Sequence, residues 1–156
     1  MNTQITVVNG TEPMSGQADP LSALTMFYRA FNSANMDIMQ KNWLNSAETS
    51  MSNPLGGLRR GWNEISMIYE SIFNGPADVH VEFYDFTIHE SDNMFCAVGR
   101  ERGSITVDNK TIDLAIRTSR FYVLRDGLWL QLHHHGSIDK PAMLDQYQSL
   151  VNSINR

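Results

Sequence analysis

Residues 117–137 read RTSRFYVLRDGLWLQLHHHGS, and the Asp126-Gly127 pair in the middle decides how the rest is folded. Asp-Gly between two alternating apolar runs is a strong signal for a two-residue β-hairpin turn. Such a turn fixes register: Arg125 faces Leu128, Tyr122 faces Gln131, Arg120 faces His133 and Thr118 faces His135. Side chains alternate across a strand. Arg120, Trp129, Gln131, His133 and His135 therefore share one face, and Phe121, Val123, Leu130, Leu132 and His134 share the other. The first set mixes aromatic, cationic and amide groups and suits the wall of a cavity. The second is apolar apart from His134, and an exposed patch of that size calls for a partner. The expectation is a ligand-facing inner surface and a homodimer formed through Phe121, Val123, Leu130 and Leu132, with His134 pointing away from the cavity.

Outward from the hairpin, everything from Val79 to Ser137 reads as strand. Val79, Val81 and Phe83 alternate until the phase slips near Asp85, which predicts a bulge and a strongly bent sheet. A turn falls around Asp108-Asn109-Lys110. Upstream, Asp19-Pro20 is an N-cap followed by a proline suited to the first helical turn. Leu21, Leu24, Phe27, Tyr28 and Phe31 then recur at helical spacing. A short helix beginning at Asn35 or Asp37 carries Met36, Met39 and Trp43. A short strand falls within residues 47–52, and Asn53-Pro54-Leu55-Gly56-Gly57 is a loop by composition. Gly61 opens a third helix with Trp62, Ile65, Ile68, Tyr69, Ile72 and Phe73 on one face, and Asn74-Gly75-Pro76 stops it. Asp139-Lys140-Pro141 starts a C-terminal helix with Leu144, Tyr147, Val151 and Ile154 along one side. Segregated helices and an antiparallel sheet mean α+β: a cone-shaped, bent antiparallel sheet wrapped around the N-terminal helices, open at one end and hollow inside. Residues 1–18 read as a flexible N-terminal tail and 19–156 as a single domain.

Composition narrows the function classes. The chain has 156 residues, 42% of them hydrophobic, enough for one core. Net charge is −5, and the 12 Lys and Arg form no basic run, which argues against a nucleic-acid partner. No apolar run approaches the roughly 18 residues of a membrane span. The single cysteine, Cys96, excludes an intramolecular disulfide. Nothing near the N-terminus reads as a secretion signal, so the expected location is the cytoplasm.

The Asp-Pro-led helix, NPLGGLRRGW, YESIF and the G-x-W-x-x-x-H-x-H pattern of the final strand together resemble the nuclear transport factor 2-like superfamily, with its cystatin-like fold, and within it the SnoaL-like members. The resemblance spans about Asp19 to Tyr147. Ketosteroid isomerases of this superfamily keep an oxyanion-donating tyrosine at the position of Tyr28. Their general base sits at the position of Asn53, where an amide cannot take a proton. Their protonated aspartate falls at Ser119 or Arg120. The resemblance therefore does not carry the steroid-isomerase mechanism. The association domain of calmodulin-dependent kinases is similar at Arg100, Arg120, His133 and His135, which implies a pocket for small carboxylates and an oligomeric assembly. Another arginine of that family is Gly136 here.

Three chemistries fit these residues. His133 and His135 could bind zinc with Glu48 or Glu101 as a third ligand, but no third-ligand motif accompanies them, and neither metal nor cofactor is expected. His133 as proton shuttle with Tyr28 as oxyanion donor would make an acid–base isomerase, cyclase or dehydratase. The reading preferred is binding of a small anionic or polar organic ligand. Arg100 and Arg120 would fork onto it, His133, His135, Gln131 and Tyr28 would add hydrogen bonds, and Trp43, Trp62 and Tyr69 would form an apolar wall. The competing bland reading pairs the arginines with Glu48, Glu70 or Glu101 and gives the aromatics to the core.

Overall fold

The computed structural model describes residues 4–154. Its elements are β1 (Val7–Val8), α1 (Pro20–Asn32), α2 (Met36–Asn42), β2 (Ser50–Ser52), β3 (Leu58–Arg60), α3 (Trp62–Asn74), β4 (Asp78–Glu90), β5 (Met94–Val107), β6 (Lys110–Arg125), β7 (Leu128–Ile138) and α4 (Pro141–Ile154). The strands form one sheet in the order β1-β4-β5-β6-β7-β2-β3. All pairings are antiparallel except that of β2 with β7. This is the expected α+β architecture, a curled and unclosed sheet around helices.

Local chemistry sets the element ends. The Asp19 carboxylate caps α1 by accepting from the Ser22 amide at 2.9 Å, and Pro20 occupies the first turn. Asn35 caps α2 in the same way through the Ile38 amide. Asp126 and Gly127 both take positive φ, as a type I′ turn requires, and Asp108-Asn109 does the same between β5 and β6. The slip near Asp85 is a bulge: Asp85 has φ 48° and the register of β4 on β5 shifts between Tyr84 and Thr87. That bulge bends the sheet.

Helix α1 lies along the concave face and buries Ala23, Leu24, Phe27 and Tyr28. Each of the larger two is worth about 1.5–3 kcal/mol of burial. An aromatic cluster links the helices: Phe27, Phe31, Tyr69, Phe73, Trp43 and Trp62 meet at centroid distances of 6.0 to 6.4 Å. Deeper in the cone, Phe95 stacks on Tyr122 at 4.6 Å.

The first described residues are tied down rather than loose. Val7 and Val8 pair with Tyr84 and Phe83 of the same chain. Arg29 donates to the Gly10 and Glu12 carbonyls, and Asn32 bridges Asn9 to Val81. Gly10 has φ 98°, and a Cβ there would lie 2.4 Å from the Arg29 backbone nitrogen, so only glycine lets the segment lie this close to α1. Residues 1–3 of the expected tail lie outside the described residues. Among the described residues, no helix is long and apolar enough to cross a membrane.

Candidate functional site

Near the turn, the hairpin pairs as its Asp-Gly predicts: Arg125 with Leu128, Leu124 with Trp129, Tyr122 with Gln131. Beyond Gln131 the register shifts. Phe121 pairs with His133, Arg120 with His134 and Ser119 with His135. Leu132 is thus the extra residue of a β-bulge, and the pleat inverts across it. His134 is buried at 6% exposure while His135 is exposed and His133 half-buried. The expected assignment is corrected accordingly: His134 faces the interior beside Arg120, and His133 and His135 face outward. The physical cause lies in the histidine run and in a partner strand distant in sequence. A run of three histidines carries no polarity alternation to pin the register, and the parallel strand β2 takes hold of this stretch, pairing Ser50 with His133, Met51 with His134 and Ser52 with His135.

Arg120 is the centre of the interior site. It is 2% exposed. Its Nη2 donates to Glu101 Oε1 at 2.9 Å, Nη1 to Gln131 Oε1 at 2.8 Å and Nε to the Tyr28 hydroxyl at 3.2 Å. The guanidinium lies over the Phe27 ring at 3.6 Å, a favourable cation–π position. Tyr28 in turn donates to Glu101 Oε1 at 2.7 Å. Gln131 donates to Asn42 Oδ1, which also accepts from Tyr122, and Asn42 donates to the Ala23 carbonyl. A buried charge of this kind survives only when paired and hydrogen-bonded. Burial works against the Arg120 cation, but Tyr28 and Glu101 outweigh it and hold it protonated. Burial keeps the Tyr28 phenol neutral far above its ordinary range.

His134 completes the group. Burial first, and Arg120 second, push its pKa well below the ordinary imidazole value, so the ring is neutral. Its Nδ1 is buried with no hydrogen-bond partner. Gly136 makes room for it: a Cβ there would stand 3.2 Å from His134 Nε2 and 2.8 Å from Pro54 Cγ.

These groups face a partly open cavity of about 70 Å³ lined by Glu101, Arg120, His134, Tyr69, Asn53, Met51 and apolar side chains that include Phe27, Phe31 and Ile116. A larger apolar vestibule of about 290 Å³ adjoins it, sharing Phe31, Asn53, Ile68, Ile72, Val79 and Tyr147, and adding Leu55, Ile105, Val151 and Ile154. Helix α4 supplies Tyr147, Val151 and Ile154 to this wall and is tied to the loop by Gln148 donating to the Leu55 carbonyl. Burial pushes the Tyr147 phenol up to about 12.

The sequence-predicted residues divide sharply. Arg120, Gln131, Tyr28 and Tyr69 come together inside the cone, although Tyr28 is wholly buried behind Arg120 and both its bonds are taken. Trp43 is core at 2% exposure, stacked on Trp62 and tilted against Tyr69; Trp62 is half-buried behind it. Neither tryptophan lines the inner cavity or the vestibule. Arg100, expected beside Arg120, lies on the outer face. Ala97 pairs with Arg120, so the pleat turns Phe95, Ala97 and Glu101 inward and Arg100 outward. There it meets Asp139 at 3.1 Å and Asp85 at 3.3 Å. His133 donates or accepts at Ser50 Oγ, 2.7 Å away. The catalytic pairing of His133 with Tyr28 is therefore not assembled. Glu101, His134, Asn53 and Tyr147 are the site residues that sequence reasoning gave other roles. Among the described residues no group of three or more His, Cys, Asp or Glu could hold a metal ion. The patch expected to pair two copies is present on the outer face, but Val123 is already buried, and Phe121, Leu130 and Leu132 are half-buried.

The SnoaL-like domain family matches residues 21–141. The chain belongs to that family. No curated protein matches the sequence. Solved structures with a similar fold include a nuclear transport factor 2-like superfamily protein from Salmonella enterica (TM-score 0.68, 19% identity, covering 76% of this chain and 87% of that one). A second is an uncharacterised cystatin-like protein from Caulobacter vibrioides (0.65, 18%, 83% and 94%). A third is the calmodulin-dependent kinase II hub homology domain of Chlamydomonas reinhardtii (0.61, 16%, 77% and 95%). These likenesses establish the nuclear transport factor 2-like, cystatin-like fold that the SnoaL-like chain shares with them. The fold hosts unrelated functions, so the site carries the functional reading.

Proposed function

We propose that this SnoaL-like protein binds a small organic molecule in the cone, with the polar end on Arg120, Glu101 and His134 and the apolar body in the vestibule toward α4. One observation carries the reading: Glu101, Arg120 and His134 converge on one wall of a cavity whose other walls are mostly apolar. Ligand sites combine apolar walls with a few convergent polar groups in this way. The test is a fragment screen followed by nuclear magnetic resonance mapping. Hits are expected to move the signals of His134, Val79 and Tyr147, and Ile72→Trp, which fills the vestibule, is expected to abolish them. Hits that map only to the outer face of the sheet would overturn the proposal.

Acid–base chemistry remains the second reading, favoured by the coexistence of Glu101 and His134 in one cavity. It rests on those two groups and not on His133 and Tyr28. Turnover lost in His134→Gln with binding intact is its signature. The homodimer through the outer face is retained as part of the proposal, supported by Met94, Val98 and Leu128, which are 38%, 43% and 43% exposed on that side. A monomer mass at micromolar concentration would contradict it. The half-buried Cys96 thiol, unpaired among the described residues, accords with a cytoplasmic location.

A further inference from the structure

The inner cavity contains one cation and one anion in direct contact. Arg120 and Glu101 meet at 2.9 Å, both almost fully buried, and the other polar groups of the lining, His134, Tyr69, Tyr147 and Asn53, carry no charge. The floor is therefore electrically balanced before any ligand arrives. A carboxylate brought to it would meet Glu101 as well as Arg120, since both line the cavity, and would leave water to do so. At so deeply buried a pair that repulsion is strong. A lone ammonium would meet the mirror-image difficulty at Arg120.

The hydrogen-bond inventory says what the floor does offer. Arg120 uses Nε and one N–H on each of Nη1 and Nη2, and the Tyr69 hydroxyl engages the guanidinium as well, which leaves at least one terminal N–H. Both bonds to Glu101 end on Oε1, so Oε2 remains as an acceptor. His134 turns its ring to the same cavity, with Nδ1 shielded and Nε2 toward Gly136. Donors and acceptors thus lie side by side on the cavity wall, with no excess charge of either sign.

We infer that the ligand is an uncharged molecule with a head that both donates and accepts hydrogen bonds, a hydroxyl or a carboxamide, on an apolar body that extends into the vestibule. The inner space of about 70 Å³ admits a head of a few atoms, and the vestibule of about 290 Å³ takes the body. The inference rests on the cavity reading above and names its ligand class. It departs from the carboxylate pocket that the likeness to kinase association domains implies.

A matched series with one tail separates the two claims: n-octanol, octanamide, octanoate and octylammonium, titrated at pH 7.5 against the wild-type protein and followed by the His134 and Tyr147 resonances. Octanol and octanamide are expected to bind at least about tenfold more tightly than octanoate or octylammonium. In Glu101→Gln, the guanidinium loses its counter-charge, and octanoate is expected to gain at least about tenfold and overtake octanol. Octanoate or octylammonium binding as tightly as octanol in the wild-type protein would overturn the uncharged-head inference while leaving the cavity reading intact. Absence of any shift at His134 and Tyr147 across the series would overturn both. The wild-type ranking decides the matter even where Glu101→Gln fails to fold.

Discussion

Arg120 and Arg100 sit on adjacent strands of the same sheet, and each meets a carboxylate, but on opposite faces. Arg120 is 2% exposed and touches one carboxylate, one amide, one phenol and one aromatic face. Arg100 has 49% of its side chain in solvent and shares Asp139 with Arg117. The contacts look alike at 2.9 and 3.1 Å. Their energetic meaning does not. Outside, water can replace either partner, and the pair is worth little. Inside, each charge is tolerable only because the other is there. A short ion pair therefore reports on function only when its burial is known.

The largest effect should follow from breaking the inner pair. Glu101→Ala leaves an uncompensated buried cation and is expected to cost about 3–5 kcal/mol, read by urea denaturation. The double change Glu101→Leu with Arg120→Met should recover most of that loss, because an apolar pair of similar volume removes both desolvation penalties. Next comes Gly136→Ala, which forces a methyl group against Pro54 and the His134 ring. A loss of about 1–3 kcal/mol is expected, together with weaker ligand binding.

The third effect is pH-dependent. His134 has its folded pKa pushed well down by burial and then by Arg120, whereas the unfolded value is about 6.5. Above that value both states are neutral and the ring contributes no slope. Below it the unfolded chain takes a proton that the folded chain refuses. Stability should therefore fall as pH drops from about 6.5, by up to about 1.4 kcal/mol per pH unit, levelling only below the folded pKa. His134→Gln should flatten that slope, leaving the smaller contribution of His133, whose pKa is lowered in the same direction by burial and then His135 against the opposing Ser50 carbonyl. The smallest effect belongs to the outer pair: Arg100→Ala should cost less than about 1 kcal/mol and vanish in high salt.

The fold was legible because its punctuation is chemical. Asp19-Pro20, Asp126-Gly127 and the phase slip at Asp85 each dictate backbone geometry through one or two residues. The inner face was legible as far as Gln131 for the same reason. The second bulge was not. Leu132-His133-His134-His135 offers three identical side chains, so no pattern opposes a one-residue slip, and its placement depends on the parallel pairing with β2, a contact far away in sequence. Glu101 had a readable signal: it shares parity with Phe95 and Ala97, which must face the core, whereas Arg100 does not. Tyr147 was placed on the correct helix face, but only the tertiary structure shows that this face closes the vestibule.

The claim on which the site depends is that the bulge at Leu132 turns His134 inward beside a charge-balanced Arg120. Histidine-labelled nuclear magnetic resonance between pH 4 and 8 tests it directly. One imidazole should stay neutral well below the ordinary value of about 6.5, its signals should disappear in His134→Gln, and they should shift when octanol binds. A His134 ring that protonates at an ordinary solvent-exposed value would contradict the account.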